Sequence, residues 1–125
     1  MTLLLVALAG GFGAVARFVL DGVINARRDP QRVPLGTMTI NLSGSLLLGV
    51  VVGLAVGQLL PESAHQIVGT GFLGGYTTFS AASVETVRLV RDGRWSAALL
   101  HGLGMLVGSV ALAALGWALG SLAAH

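Results

Sequence analysis

The sequence predicts an all-α membrane protein with four transmembrane helices in each subunit. Of its 125 residues, 54% are hydrophobic and only 10% are charged, whereas a soluble domain contains about 25% charged residues. The charges leave four apolar stretches, each long enough to cross about 30 Å of hydrocarbon. We therefore expect residues 1–125 to form a single four-span membrane domain surrounded by membrane lipid, with spans at about 2–24, 35–60, 66–88 and 95–121.

The composition also argues against several classes of function. The chain contains no cysteine, which excludes a disulfide framework, a thiolate metal site and a thiol catalyst. Its formal net charge is only +2, without a basic stripe that is interleaved with aromatic residues. We therefore expect no nucleic-acid partner. The spans contain no nucleophile paired with a base and no paired carboxylates, so we expect the protein not to be an enzyme.

Residues 2–20 of the first span contain one formal charge, Arg17, near the end that leads to a basic loop. Its guanidinium can reach the lipid headgroups, pair with Asp21 one helical turn later, or supply a fixed positive charge at the mouth of an anion path. The arginines of the loops lie on one side of the predicted spans. The positive-inside rule assigns that side to the cytoplasm.

The second span begins with polar residues at every other position. On a helix they divide into a stripe of Thr37, Asn41 and Ser45 and a neighbouring pair, Thr39 and Ser43. Hydroxyl groups in membrane helices often bond to carbonyls of their own helix, but an amide cannot satisfy all its donors and acceptors in that way. Asn41 is therefore predicted to face a partner helix or a water-filled cavity.

Glycines recur every four residues in the second and fourth spans. They are Gly49, Gly53 and Gly57, then Gly104 with Gly108, and Gly116 with Gly120. Small residues at this spacing let membrane helices approach closely, either within one subunit or between two. Because four short helices cannot easily enclose a polar path, we expect at least a dimer.

The third span has the weakest helical pattern. Residues 69–80 read GTGFLGGYTTFS, in which four glycines precede β-branched and aromatic residues, and such a sequence makes a poor helix interior. It favours a helix broken at mid-membrane, although an unbroken helix with a glycine packing face is the alternative. A break in lipid is tolerated where the freed carbonyls line a cavity or hold an ion, and oxygen ligands suit a hard cation.

The remaining polar residues of the spans are few. Glu85 closes the third span and is expected to form an ion pair with Arg88 on the helix surface. The fourth span contains Ser109 near its middle. The histidines lie too far apart in the sequence for a metal site, so His101 and the other two are expected to be solvated or interfacial.

Three motifs, in this order and spacing, resemble the CrcB/Fluc family of fluoride channels. They are Gly10-Gly11-x-Gly13-Ala14-x-x-Arg17-Phe18, Gly36-Thr37-x-x-x-Asn41-x-x-Gly44, and Gly71-Phe72-x-Gly74-Gly75-x-Thr77-Thr78-Phe79-Ser80 followed by Glu85. The resemblance covers essentially the whole chain. It implies a passive fluoride exporter of the prokaryotic-type cell membrane, which lowers cytoplasmic fluoride, built as an antiparallel dimer of oppositely inserted subunits.

The resemblance also implies roles for particular residues. A structural sodium ion (Na+), which is not transported, would be held at the dimer centre by the main-chain carbonyls of Gly74 and Thr77. The implied fluoride pathway contains Asn41, Phe79, Ser80, Thr78 and Ser109. Arg17 and Glu85 match two further polar positions, in a vestibule or in a structural role.

The chain departs from the family pattern in ways that affect these expectations. Ala82 occupies the position of the family's second pore phenylalanine, and the fourth span lacks a row of hydroxyls. The one-sided arginines predict a fixed orientation, so the dimer is either a homodimer or a heterodimer with an oppositely oriented sibling subunit. The alternative function, a small proton-coupled multidrug-type transporter, needs a membrane-embedded carboxylate, which the span interiors lack.

Overall fold

The structure is a computed structural model that describes residues 1–29 and 32–125. Every regular element in these two ranges is a helix, in agreement with the predicted all-α class. In chain order the elements are α1 (Thr2–Asn25), α2 (Leu35–Val56), α3 (Glu62–His65), a π-helix π1 (Gln66–Leu73), α4 (Gly74–Tyr76), α5 (Ser80–Arg91) and α6 (Trp95–Ala123).

Three of these helices, α1, α2 and α6, are long and apolar enough to cross a membrane. They contain 24, 22 and 29 residues, and about 20 residues of α-helix span the hydrocarbon core. Their outer faces expose large apolar side chains, among them Phe12 at 70% and Val107 at 66%. Exposed apolar surface of this extent suits contact with lipid, and the chain is a multi-pass membrane protein.

The most extensive helix contact joins α2 to α6. Gly49 of α2 lies against the carbonyl of Ala113, and Gly116 of α6 lies against the carbonyl of Leu46. A Cβ atom at either glycine would overlap these backbone atoms, and the next glycine of each helix makes the same kind of contact. The glycine spacing of α2 and α6 therefore serves close packing within one subunit.

The third apolar stretch does not form one continuous α-helix. α3 leads directly into π1, and α4 ends at Tyr76. Thr77 is extended, with φ −79° and ψ 158°, and helix resumes at Ser80 in α5. Residues 77–79, which we call the interruption, therefore have backbone groups that a continuous helix would have paired.

A small core lies where α1, α2 and the π1–α4 segment meet. Ile40, Leu73 and Tyr76 are buried together there, and the rings of Phe72 and Tyr76 stack with their centroids 6.1 Å apart. The Tyr76 hydroxyl lies 3.0 Å from that of Ser43. This packing holds the last turn before the interruption against α2.

Candidate functional site

A groove of about 720 Å³ opens beside the interruption and is walled by α2, α4, α5 and α6. It brings together six of the nine predicted site residues: Asn41, Gly74, Thr77, Thr78, Phe79 and Ser109. The other three, Ser80, Arg17 and Glu85, are not among its lining residues. The groove therefore gathers polar and apolar residues that are far apart in the sequence.

Asn41 joins α2 to the interruption through two hydrogen bonds with one residue. Its Nδ2 donates to the Thr78 carbonyl at 2.7 Å, and its Oδ1 accepts from the Thr78 backbone N–H at 2.8 Å. The same Nδ2 lies 3.2 Å from the Met105 sulfur, which is a weak acceptor. The side-chain amide thus replaces the helical partners that the Thr78 backbone lacks, and its remaining N–H is only weakly engaged.

Two carbonyls next to the interruption are left without their usual helical donors. The N–H of Thr78, which would bond to Gly74 in a continuous helix, goes to Asn41 instead. The N–H of Ala81, which would bond to Thr77, goes to the Thr78 hydroxyl at 3.3 Å. These two helical hydrogen bonds therefore do not occupy the carbonyls of Gly74 and Thr77, and both residues line the groove.

Phe79 is an exposed residue of the groove wall. Its side chain is 88% exposed, although a phenylalanine usually packs against other apolar groups. Ala82 lines the groove three residues later. Ser80 is also exposed, with its hydroxyl 3.3 Å from that of Thr78. This side of the groove is open in a single chain.

Arg17 lies close to the interruption but on the α1 side. Its Nε donates to the Gly75 carbonyl at 3.3 Å. The backbone of Gly75 touches Gly10 of α1, two turns before Arg17, and this close contact places the carbonyl within reach. Asp21 instead accepts a hydrogen bond from Asn25 at 2.8 Å. Three alternatives were given for Arg17. One of them, an ion pair with Asp21, is not formed in the part of the chain that the structure describes.

Glu85 lies in a buried polar cluster between α2, α5 and α6. Its Oε1 accepts from the Thr37 hydroxyl at 2.9 Å, and its Oε2 lies 3.2 Å from Nε2 of His101. The other ring nitrogen of His101 is 2.9 Å from the hydroxyl of Thr86, a residue of the groove wall. The expected surface ion pair between Glu85 and Arg88 was wrong, because the carboxylate is directed at these buried groups.

The expectation that His101 is solvated or interfacial was also wrong, since its side chain is 0% exposed. A sequence signal for its true position does exist. His101, Met105 and Ser109 follow one another at four-residue spacing, which places them on one face of a helix, and Met105 and Ser109 line the groove. The contact of His101 with Glu85 could not be predicted from this spacing, because Glu85 lies on another helix.

The fold and the groove define a class, a small multi-pass membrane protein in which polar groups from several helices meet at an interrupted helix. Residues 4–117 match the family described as "CrcB-like protein, Camphor Resistance (CrcB)". The chain belongs to this family.

Curated relatives resemble the chain over nearly its full length. "Fluoride-specific ion channel FluC 1" of Leifsonia xyli subsp. xyli is 54% identical over 98% of this chain and 89% of its own. "Fluoride-specific ion channel FluC 2" of Cutibacterium acnes is 51% identical over 97% of this chain and 98% of its own. The protein of the same name in Moorella thermoacetica is 44% identical, over 98% and 99%.

Proposed function

We propose that the protein is a fluoride-specific ion channel of the cell membrane that exports fluoride passively and so lowers cytoplasmic fluoride and its toxicity. The observation that carries this proposal is the similarity to relatives named as fluoride-specific ion channels, at 51% and 54% identity over almost the whole chain. The grouping of polar side chains in one groove supports it, since an anion can cross an apolar molecule only along such groups.

The groove offers the kinds of group that can replace the water around fluoride. The hydroxyls of Thr78 and Ser109 in the groove, and that of Ser80 beside it, can donate to an anion, and the exposed ring of Phe79 can present its electropositive edge. Asn41 has a double role in this proposal. Its bonds to Thr78 hold the interruption in shape, and the N–H that faces the Met105 sulfur is the donor that an anion would take.

The start of α5 supports the same path. Its first residue, Ser80, follows the groove residues Thr78 and Phe79 directly. Unpaired N–H groups and the helix dipole make this end of the helix electropositive. An anion in the groove would therefore meet a favourable potential at the interruption.

We propose that two oppositely oriented subunits complete the channel and that the interruption lies at mid-membrane. The open groove and the 88% exposure of Phe79 support a second chain against this face, because a single chain leaves the proposed path unenclosed. The partner is either a second copy or a sibling subunit of opposite charge bias. Efflux from the purified protein alone would exclude an obligate heterodimer.

The freed carbonyls of Gly74 and Thr77 fit a sodium ion, because a hard cation prefers oxygen ligands. Two carbonyls from each of two subunits would surround an ion on the dimer axis. The ion would supply positive potential and hold the two interrupted helices together. In this proposal it is structural and is not transported.

Passive export needs no carboxylate for proton coupling. Moving one charge through 100 mV is worth about 2.3 kcal/mol, so a cell interior that is negative drives fluoride outward through an open path. The alternative of a proton-coupled transporter would require a pH gradient for transport.

The proposal is tested by anion efflux from liposomes that contain the purified protein. An outward anion gradient with a potassium ionophore, and no pH gradient, should give rapid fluoride efflux while chloride is retained. If chloride leaves as fast as fluoride, the assigned selectivity is wrong. If fluoride leaves only when a pH gradient is applied, the transporter alternative is correct.

A further inference from the structure

The polar stripe of α2 contains one residue, Ser45, that the proposed path leaves unused. The other two members of the stripe have partners, since Thr37 donates to Glu85 and Asn41 bonds to Thr78. Ser45 lines the groove, and its hydroxyl forms no hydrogen bond with any residue that the structure describes. Because hydroxyls of membrane helices often bond to carbonyls of their own helix, a free one beside a groove is available to a ligand.

Most of the other hydroxyls in the groove wall have already committed their single hydrogen. Three of them donate to the carbonyl four residues earlier, Thr77 at 2.9 Å, Ser83 at 2.9 Å and Thr86 at 2.8 Å. Toward an anion these three oxygens present only lone pairs, which repel it. Ser109 on α6 resembles Ser45, because it lines the groove and has no hydrogen bond within the described part of the chain.

The packing of α2 on α6 brings Ser45 and Ser109 to the same level of the groove. Contacts between the two helices advance together along both, from Asn41 with Met105 to Leu42 with Gly108 and Gly49 with Ala113. The two helices therefore run in the same direction. Ser45 follows Asn41 by one turn, and Ser109 follows Met105 by one turn, so each serine lies on the same helix face as the residue before it. All four residues line the groove.

We propose that Ser45 is a further fluoride-contacting residue, and that its hydroxyl and that of Ser109 form an anion site one helical turn beyond Asn41. The inference rests on the proposed function, because it adds a site to the same path. One turn advances about 6 Å along a helix, so this site is a separate step from the interruption. In this proposal α2 supplies a donor in place of the hydroxyl row that α6 lacks, and both donors belong to one chain.

The first test is fluoride efflux from liposomes that contain Ser45→Ala. Efflux should fall by about ten-fold, because a donor to a charged ligand is lost, and Ser109→Ala should show a similar loss. Ser83→Ala is the matched control, since it removes a groove hydroxyl whose hydrogen is held by the Phe79 carbonyl. It should transport like the parent. Parent-like efflux by Ser45→Ala, or an equal loss in Ser83→Ala, would overturn the proposal.

Thermal unfolding separates a ligand contact from a structural role. The Ser45 hydroxyl has no hydrogen-bond partner in the described chain, so Ser45→Ala should unfold at the temperature of the parent. A variant that loses stability together with efflux would show a structural role and would overturn the proposal.

The double variant Ser45→Ala with Ser109→Ala tests whether one ion contacts both hydroxyls. Groups that hold the same ligand are coupled, and an ion that has lost one donor is no longer held between the two. The double variant should therefore lose less efflux than the product of the two single losses. A loss equal to that product would place the two serines at separate sites and would overturn the shared one.

The last test does not depend on transport. At constant sodium concentration, replacing chloride by fluoride should raise the unfolding temperature of the purified parent, because a ligand stabilises the state that binds it. Ser83→Ala should keep this rise, and Ser45→Ala should reduce it. An unaltered rise in Ser45→Ala, or no rise in the parent, would overturn the site. Failure of the proposed function is distinguishable, because a parent without fluoride efflux could still show a rise that depends on Ser45.

Discussion

At the scale of single residues, Asn41 is the link between α2 and the interrupted segment. Its amide both donates to and accepts from the backbone of Thr78, as a neighbouring strand would. We predict that Asn41→Asp lowers fluoride efflux by about 100-fold, because a carboxylate oxygen would replace the donor to the Thr78 carbonyl at a cost of roughly 2–3 kcal/mol. The new negative charge would also repel the anion.

The control for this substitution is Thr39→Val, at an exposed position of the same helix. It should leave both efflux and thermal stability close to those of the parent. Parent-like efflux by Asn41→Asp would remove Asn41 from the proposed pathway.

Phe79 offers a test of the path that is separate from folding. Because its ring is 88% exposed in the single chain, Phe79→Ile removes little packing within the subunit. We predict a loss of fluoride efflux of about ten-fold, equivalent to about 1.4 kcal/mol, with an unchanged helix content by circular dichroism. Phe12→Ile, at an exposed position of α1, is the matched control and should transport normally. Equal efflux by the two variants would contradict a role for the Phe79 ring edge.

At the scale of elements, two helices end with a residue in the left-handed conformation. After α2, Gln58 has φ 60° and the Leu59 N–H bonds back to Leu54; after α5, Gly93 has φ 74° and the Arg94 N–H bonds back to Leu89. Both are Schellman ends, in which glycine is favoured because a Cβ is strained there.

We predict opposite effects on stability at these two ends. Gln58→Gly should stabilise the protein and Gly93→Ala should destabilise it, each by about 1 kcal/mol, as measured by thermal unfolding in detergent. Neither substitution should alter selectivity for fluoride over chloride. Shifts of the same sign in the two variants would show that the end conformations do not control stability.

The π1–α4 segment shows how an element places the groove. Its glycines allow contact with the α1 backbone, since a Cβ on Gly71 or Gly75 would overlap atoms of Val6 or Gly10. The segment is therefore anchored on α1 before the chain leaves the helix at Thr77. This anchoring directs the interruption toward α2 and α6, where the groove forms.

At the scale of the whole molecule, the proposed sodium site predicts a dependence on the ion. Removing sodium throughout purification, with a larger organic cation in its place, should destabilise the dimer or abolish efflux, because the carbonyls of Gly74 and Thr77 would then repel one another. Returning sodium should restore both properties. Unchanged activity and oligomeric state in rigorously sodium-free solution would contradict the site.

The one-sided arginines bear on how the whole molecule assembles. Arg27, Arg28 and Arg32 lie together around a cavity of about 550 Å³ beside the end of α1. A fixed orientation favours a sibling partner, whereas a chain that inserts both ways can pair with itself. Robust efflux from the purified single protein, with both orientations detected by labelling, would establish the homodimer.

The sequence by itself determined the membrane class and the all-α fold. Hydropathy, charge placement and helix propensity are local properties, and a membrane admits few ways to satisfy the backbone. The long helices α1, α2 and α6 lie within three of the apolar stretches of the sequence. The motifs around Asn41 and Phe79 also predicted the family to which the chain belongs.

The tertiary structure alone decided which polar groups meet. Asn41 bonds to Thr78, 37 residues away, and Glu85 on α5 faces His101 on α6. The spacing of polar residues could predict which face of α6 contains His101. It could not predict that this face is buried, so the environment of His101 was predicted wrongly. The physical reason is that periodicity defines the face of a helix but not the neighbour of that face. The rotation and pairing of the helices are set by close backbone contacts, such as those of the glycines between α2 and α6.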